Sequence, residues 1–288
     1  MTATSLLLPG KLRRALAEAN WFLLVLPALA FLSIFFLYPL IDIVMRSFEG
    51  GTANYERIFS TTLYIRVLIA TFEMALIVTA ACLVIGYAYA YALSATKGTL
   101  QAFLTVALLL PFWVSVLLRT FAWLVLLQNT GLVNQVLMGL GLTDMPVQLL
   151  RNKFGIAVGM VNILLPYMVL PLLSVMKGID PRLISAARIS GASYLRCFFR
   201  IYLPLTLPGI ISGSVLVMTL SLGFYIVPAV LGGSRDTMIA QLIADQITKQ
   251  VNFSFSSALA MTLIIFTALV FILFGLSLRM AKKRMAGG

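Results

Sequence analysis

The chain is 288 residues long, 61% hydrophobic and only 10% charged. Soluble domains run at about 45–50% apolar and about 25% charged, so the composition excludes an ordinary soluble protein and reads as an all-α polytopic membrane protein. The net charge of +12 is scattered between apolar runs instead of forming a patch interleaved with aromatics, which sets nucleic acid aside as a partner.

In chain order, residues 1–20 include KLRRALAEAN, a short basic amphipathic piece expected to lie on the cytoplasmic membrane surface and lead into the first span. No small-residue cleavage site follows a short apolar core, and the run from Trp21 is too long for a signal peptide, so no cleaved signal is read. A membrane crossing needs about 20 apolar residues at about 1.5 Å each. Six runs qualify, at about Trp21–Met45, Val67–Ser94, Phe103–Leu127, Phe154–Val175, Pro208–Val230 and Ser257–Met280. Pro27, Pro39, Pro111, Pro166, Pro171 and Pro228 mark expected kinks inside them. The loop Arg46–Arg66 and the stretches GLVNQVLMGLGL (131–142) and DTMIAQLIADQI (236–247) read as partly helical pieces. Too short or too polar to cross, they are expected to cap the outer face. No repeat or linker divides the chain, so it reads as one membrane domain over 21–280 with a basic cytoplasmic tail at 281–288.

Basic residues orient the bundle. One side collects Lys11, Arg13, Arg14, Lys97, Lys177, Arg182, Arg188, Arg196, Arg200, Arg279, Lys282, Lys283 and Arg284. The other has Arg46, Arg57, Arg66, Arg151, Lys153, Arg235 and Lys249, and Arg119 falls inside a span. The richer side is the cytoplasmic one, which puts both termini and the loop between spans four and five there.

Charge within a span is costly and is usually paired or functional. Glu73 and Arg119 are each expected at about 9–12 Å below the outer interface, from the helical rise, and are predicted to form an ion pair facing the bundle interior. Asp42 could join them or reach headgroups. Trp113, Asn162, Tyr167, Ser221, Phe224 and Tyr225 are candidates for a substrate pathway, each with helix packing or interface anchoring as its alternative role.

Enzymatic readings fare poorly. There is no histidine, so zinc and Ser-His hydrolysis lack their ligands and base, and no metal site or bound cofactor is expected. Cys82 lies in an apolar run and Cys197 in a polar one, with no CxxC spacing. Gly10–Lys11 is followed by Leu12 and no earlier glycine stands at phosphate-loop spacing, so the chain cannot hydrolyse ATP by that route. Transport remains, with its energy source elsewhere.

The polar stretch DPRLISAARISGASYLRCFFRIYLPLTLP, Asp180 to Pro208, predicts two short helices. Asp180 caps the first, with Pro181 in its opening turn, and Gly191 ends it. Ser193 caps the second, whose Leu195, Phe198, Phe199 and Tyr202 recur at helical spacing. Arg196 and Arg200 share the opposite face and could hold anionic lipid headgroups.

This stretch resembles the cytoplasmic loop of ABC importer permeases, E-A-A, three residues, G, nine residues, I-x-L-P. Ser185, Ala186, Ala187, Gly191, Ile201, Leu203 and Pro204 occupy the motif positions, with Ser185 where the family has glutamate. LLPFWVSVLLRTFAWLVLLQNTGLVNQVLMGLGL (109–142), LLPYMVLPL (164–172) and VPAVLGG (227–233) look like the polyamine (spermidine/putrescine) subfamily. Phe224 stands where polyamine permeases often place an acid.

The resemblance implies a six-span type I importer permease that moves a small organic solute by alternating access, a polyamine first, with opine-like or phosphonate solutes also in range. It further implies a coupling helix at about Pro181–Ser190, a second homologous permease subunit, ATPase subunits that bind ATP and Mg, and an extracytoplasmic solute-binding protein. An ion-gradient-driven secondary transporter is the alternative; inverted repeats and midplane ion ligands would mark it, and neither is visible in the sequence.

Overall fold

The computed structural model describes residues 25–286. The amphipathic piece predicted at 1–20, the start of the first run at Trp21, and Gly287 and Gly288 lie outside the described residues. Everything described is helix and connecting loop, and six helical stretches are long and apolar enough to cross a membrane, the third of them, Val116–Gly139, made of two helices in succession.

Helix α1 (Val25–Ser47) is followed by a short α2 (Ala53–Ser60) and a long α3 (Thr62–Ala95). Then come α4 (Gly98–Leu109), α5 (Val116–Leu127) and α6 (Leu132–Gly139). Helix α7 (Lys153–Lys177) leads into the loop helix α8 (Pro181–Ile189), and α9 (Tyr194–Leu222) returns. The chain ends with α10 (Ile226–Leu231), α11 (Ile239–Thr248) and α12 (Phe253–Ala286). The segment read as a tail at 281–288 is thus helical as far as Ala286.

Three mutually packed helices, α3, α7 and α9, form the centre. Small residues let them approach. A Cβ on Gly86 of α3 would lie 2.9 Å from Met168 Cγ, and one on Gly213 of α9 would lie 2.8 Å from Met168 Sδ. Met168, fully buried on α7, therefore fills the space that two glycines leave open. A second, smaller core gathers Ile58, Tyr64, Leu68, Ile239, Phe255 and Leu259 at the opposite end from α8. There the guanidinium of Arg57 lies 4.5 Å from the Phe255 ring centroid. The segments expected to cap that end are partly helical: α2 and α6 lie within theirs, and α11 runs one residue past its own.

Two runs read as single spans are broken. The third is interrupted at Val114–Ser115. Pro111 has no N–H to donate back along α4, so the chain tightens into a 3₁₀ turn at Leu110–Trp113 and opens into extended backbone before α5 restarts. The fifth begins at Tyr194 instead of Pro208 and stops at Leu222, short of Val230. Arg196 and Arg200 made its start look polar, but both side chains are exposed and the helix passes beneath them. Its end comes where Pro228 would clash with the carbonyl of Phe224, four residues back, so Gly223–Tyr225 leaves the helix and α10 restarts.

Two π turns have a common cause. Ser33–Leu37 and Phe198–Tyr202 each end two residues before a proline, Pro39 and Pro204. The proline ring displaces the carbonyl four residues back, and a wider turn accommodates it: Tyr38 N–H reaches Ser33 O, and Leu203 N–H reaches Phe198 O. Pro166 and Pro171 lie within α7 without ending it.

Candidate functional site

The loop between α7 and α9 is built from local chemistry. Asp180 Oδ1 accepts from Arg182 N at 2.9 Å, capping α8. At the other end Gly191 takes φ +86°, its N–H donating to Arg188 O at 3.0 Å while Ala192 N–H donates to Ala187 O at 3.0 Å. That pair of bonds is a Schellman turn, whose left-handed position suits glycine. Ser193 Oγ then accepts from Arg196 N at 3.4 Å and opens α9. Across the turn, the Arg188 guanidinium carbon lies 3.9 Å from the Tyr194 ring centroid and ties the two helices together.

The loop has two unlike faces. Outward, Ile189 is 89% exposed, with Leu195 and Tyr194 also largely exposed. These large apolar side chains stand uncovered on this face. Ser185 and Ala186 are exposed with them, Ala187 is half-buried, and Ser185 Oγ donates only to Pro181 O. Inward, Ile184 packs on the main core. Of the remaining motif positions, Ile201 and Leu203 are half-buried within the bundle and Pro204 is exposed.

Behind the loop an aromatic cluster joins it to α3. Phe198 stacks on Tyr202 with ring centroids 6.0 Å apart and meets Tyr87 edge-on at 6.1 Å. Tyr91 meets Tyr202 edge-on at 5.5 Å. Tyr87 Oη and Thr206 Oγ1 share a hydrogen bond of 3.2 Å between α3 and α9. A cavity of about 460 Å³ lies between this cluster, the end of α7 and the loop helix, bounded by Ser94, Met176, Ile179 and Ile184 among others.

Within the membrane the predicted Glu73–Arg119 ion pair does not form. Lys153 Nζ contacts both carboxylate oxygens of Glu73 at 2.7 Å. The reason is helix length. Helix α3 starts at Thr62, five residues before the predicted span, and this brings Glu73 level with Lys153, the first residue of α7. Asp42 pairs with Arg46 one turn on, at 2.7 Å. Arg119 Nε is buried with no hydrogen-bond partner among the described residues.

Arg119 instead lines a cavity of about 480 Å³ at the break in the third span, together with Trp113, Ser115 and Tyr167. Phe112, also in the wall, packs edge-on to Tyr167 with centroids 5.3 Å apart. Two of the pathway candidates, Trp113 and Tyr167, thus come together there. The other four do not line it. Asn162 is half-buried on α7, Ser221 is fully buried with its hydroxyl unpartnered among the described residues, Phe224 packs on the main core, and Tyr225 is partly exposed beside the second break. Sequence reasoning missed Lys153, Phe112 and Ser115. The signal available for the last two was Pro111, which opens the helix just ahead of them.

Residues 83–287 match the family model for the binding-protein-dependent transport system inner membrane component. The chain belongs to this family. It is therefore a multi-pass inner membrane permease component of an ABC transporter. Among relatives, the spermidine/putrescine transport system permease protein PotB of Escherichia coli K12 is 36% identical over 231 residues, covering 80% of this chain and 84% of that protein. The Haemophilus influenzae protein of the same name is 35% identical over 217 residues, 75% of this chain and 76% of its own. A permease-fold likeness is seen with a bacterial alginate ABC transporter crystallised with an alginate-bound periplasmic protein. The TM-score is 0.70 at 19% identity, over 89% of this chain and 93% of that one. In this permease family the Gly191 loop lies within the matched region, as do α7 and α9 to α12.

Proposed function

We propose that this permease component imports a small organic solute of the polyamine class by alternating access, driven by a separate ATPase that docks on the α8 loop. In this reading both termini and the loop face the cytoplasm, following the excess of Lys and Arg on that side. A second homologous permease completes the pathway, a solute-binding protein delivers cargo from outside, and ATP and Mg stay with the ATPase.

The observation that carries the proposal is the loop's construction. A Schellman turn at Gly191 holds exposed Ile189 and Leu195 on one side, while Ile184 and Phe198 link the same loop to the core. A partner closing on the outer face would push the loop helix against α3 and α7 through the aromatic cluster, as a rigid lever. The spermidine/putrescine relatives support the cargo class.

Gly191→Pro in the assembled importer tests the coupling. Proline holds φ near −65° and has no N–H, so neither the +86° conformation nor the bond to Arg188 O survives. Solute-stimulated ATP hydrolysis should vanish while the ATPase retains its basal rate. Normal stimulation in this variant would sink the loop's role. Calorimetry of the cognate binding protein with spermidine and putrescine tests the cargo separately.

A further inference from the structure

The cavity at the broken third span opens to the surface beside Trp113, which is 81% exposed, and carries Arg119, Ser115 and Tyr167 in its wall. Irregular backbone at membrane depth is tolerated only where protein covers it or where it lines an aqueous space, and Val114–Ser115 is extended. An arginine there keeps its charge under all ordinary conditions and needs an anionic or strongly accepting partner.

Among the described residues Arg119 has no such partner. Glu73 is engaged by Lys153, Asp42 by Arg46 and Asp245 by Lys249. Glu49, Glu56, Asp144, Asp180 and Asp236 lie in α2 or in loops outside the spans. Tyr167 across the cavity and Ser115 at its edge add hydroxyl donors. Ser115 also stands at the N-cap of the twelve-residue α5 without capping it through its side chain, and the opening turn of that helix adds partial positive charge. A guanidinium, two hydroxyls and a helix start surround a volume suited to one small-molecule group.

We propose that this cavity binds an anionic oxygen group, a carboxylate or phosphonate. The proposal rests on the import reading; spermidine and putrescine carry no anionic group, so with either as cargo the anion comes from the second subunit. The group is either one end of the transported solute, which then pairs an amine with an acid, or a carboxylate brought by the second permease subunit.

The test is a thiol placed in the cavity, Ser115→Cys in a background with Cys82→Ala and Cys197→Ala. Its rates with a sulfonate-bearing and a trimethylammonium-bearing methanethiosulfonate are measured, each normalised to the same reagent's rate with a free thiol. In the assembled importer a solute-facing anion site should favour the anionic reagent by about tenfold, the scale of one charge-assisted contact. Arg119→Gln should bring that ratio to about one and Arg119→Lys should keep most of it. A ratio near one in the assembly, with the anionic preference present in the chain purified alone, would assign the anionic group to the second subunit. No anionic preference in either preparation, or no reaction in either, overturns the proposal. Because the readout needs neither ATP nor a known cargo, a failed Gly191→Pro coupling test would leave it unaffected.

Discussion

Met168 Sδ lies 2.8 Å from where a Cβ on Gly213 would stand, and Met168 Cγ lies 2.9 Å from the corresponding point on Gly86. One flexible side chain on α7 therefore sets the spacing of both neighbouring helices. Methionine suits this position because its thioether adapts to irregular space.

Gly213→Ala should overpack this contact, since Met168 O is also only 3.1 Å from the added carbon and backbone cannot swing away. The expected cost is about 1–3 kcal/mol, read as a lowered unfolding temperature of the purified protein in detergent. Met168→Ala alone should also destabilise, by leaving a void. The double variant should lose less than the sum, because each change relieves the other. Strict additivity would show that the two residues do not compete for the same space.

The Glu73–Lys153 ion pair should contribute little despite its two 2.7 Å contacts. Lys153 and Glu73 side chains are 46% and 48% exposed, so solvent screens them. A double-mutant cycle with Glu73→Gln and Lys153→Met should give a coupling energy below about 1 kcal/mol. A value several times larger would mean that this pair is desolvated in the assembled importer.

Asn134 is the opposite case. It is fully buried, donates to Gln128 O at 3.2 Å and to Val147 O at 3.0 Å, and accepts from Val147 N at 2.8 Å. Asn134→Ala leaves those backbone groups without partners, at about 1–3 kcal/mol for an unsatisfied buried group. The segment 140–150 should then be cleaved faster by a protease added at that face. Unchanged cleavage would show that α6 is held by its apolar contacts alone.

The loop between α7 and α9 was legible in the sequence because its determinants are local. Asp180, Pro181, Gly191 and Ser193 each act on backbone within three residues, and each has the role that its chemistry predicts. The spans were legible as apolar runs, but their breaks were not. Val114–Ser115 and Gly223–Tyr225 are as apolar as the helices around them, and only Pro111 and Pro228 hinted at an opened backbone. The partner of Glu73 was missed for a different reason. Helix ends overshoot the apolar run, and starts lying five residues early in α3 and one early in α7 are enough to exchange one ion pair for another. Met168 looks unremarkable in the sequence because its contacts are made far along the chain, and Asn134 because its partners are backbone groups that no side-chain pattern marks.

The π turn at Phe198–Tyr202 has an angular consequence. An α-helix advances about 100° per residue, and a π turn absorbs one residue more than an α-turn does. Helix α9 is therefore out of phase with itself across this point: the loop-proximal part and the membrane-embedded part face directions differing by about one residue's rotation. Phe198 and Tyr202 turn inward while Phe199 stays 60% exposed. Pro204, through the width of one turn, thus sets the azimuth at which the loop leaves the bundle and so decides which of its sides confronts whatever docks there.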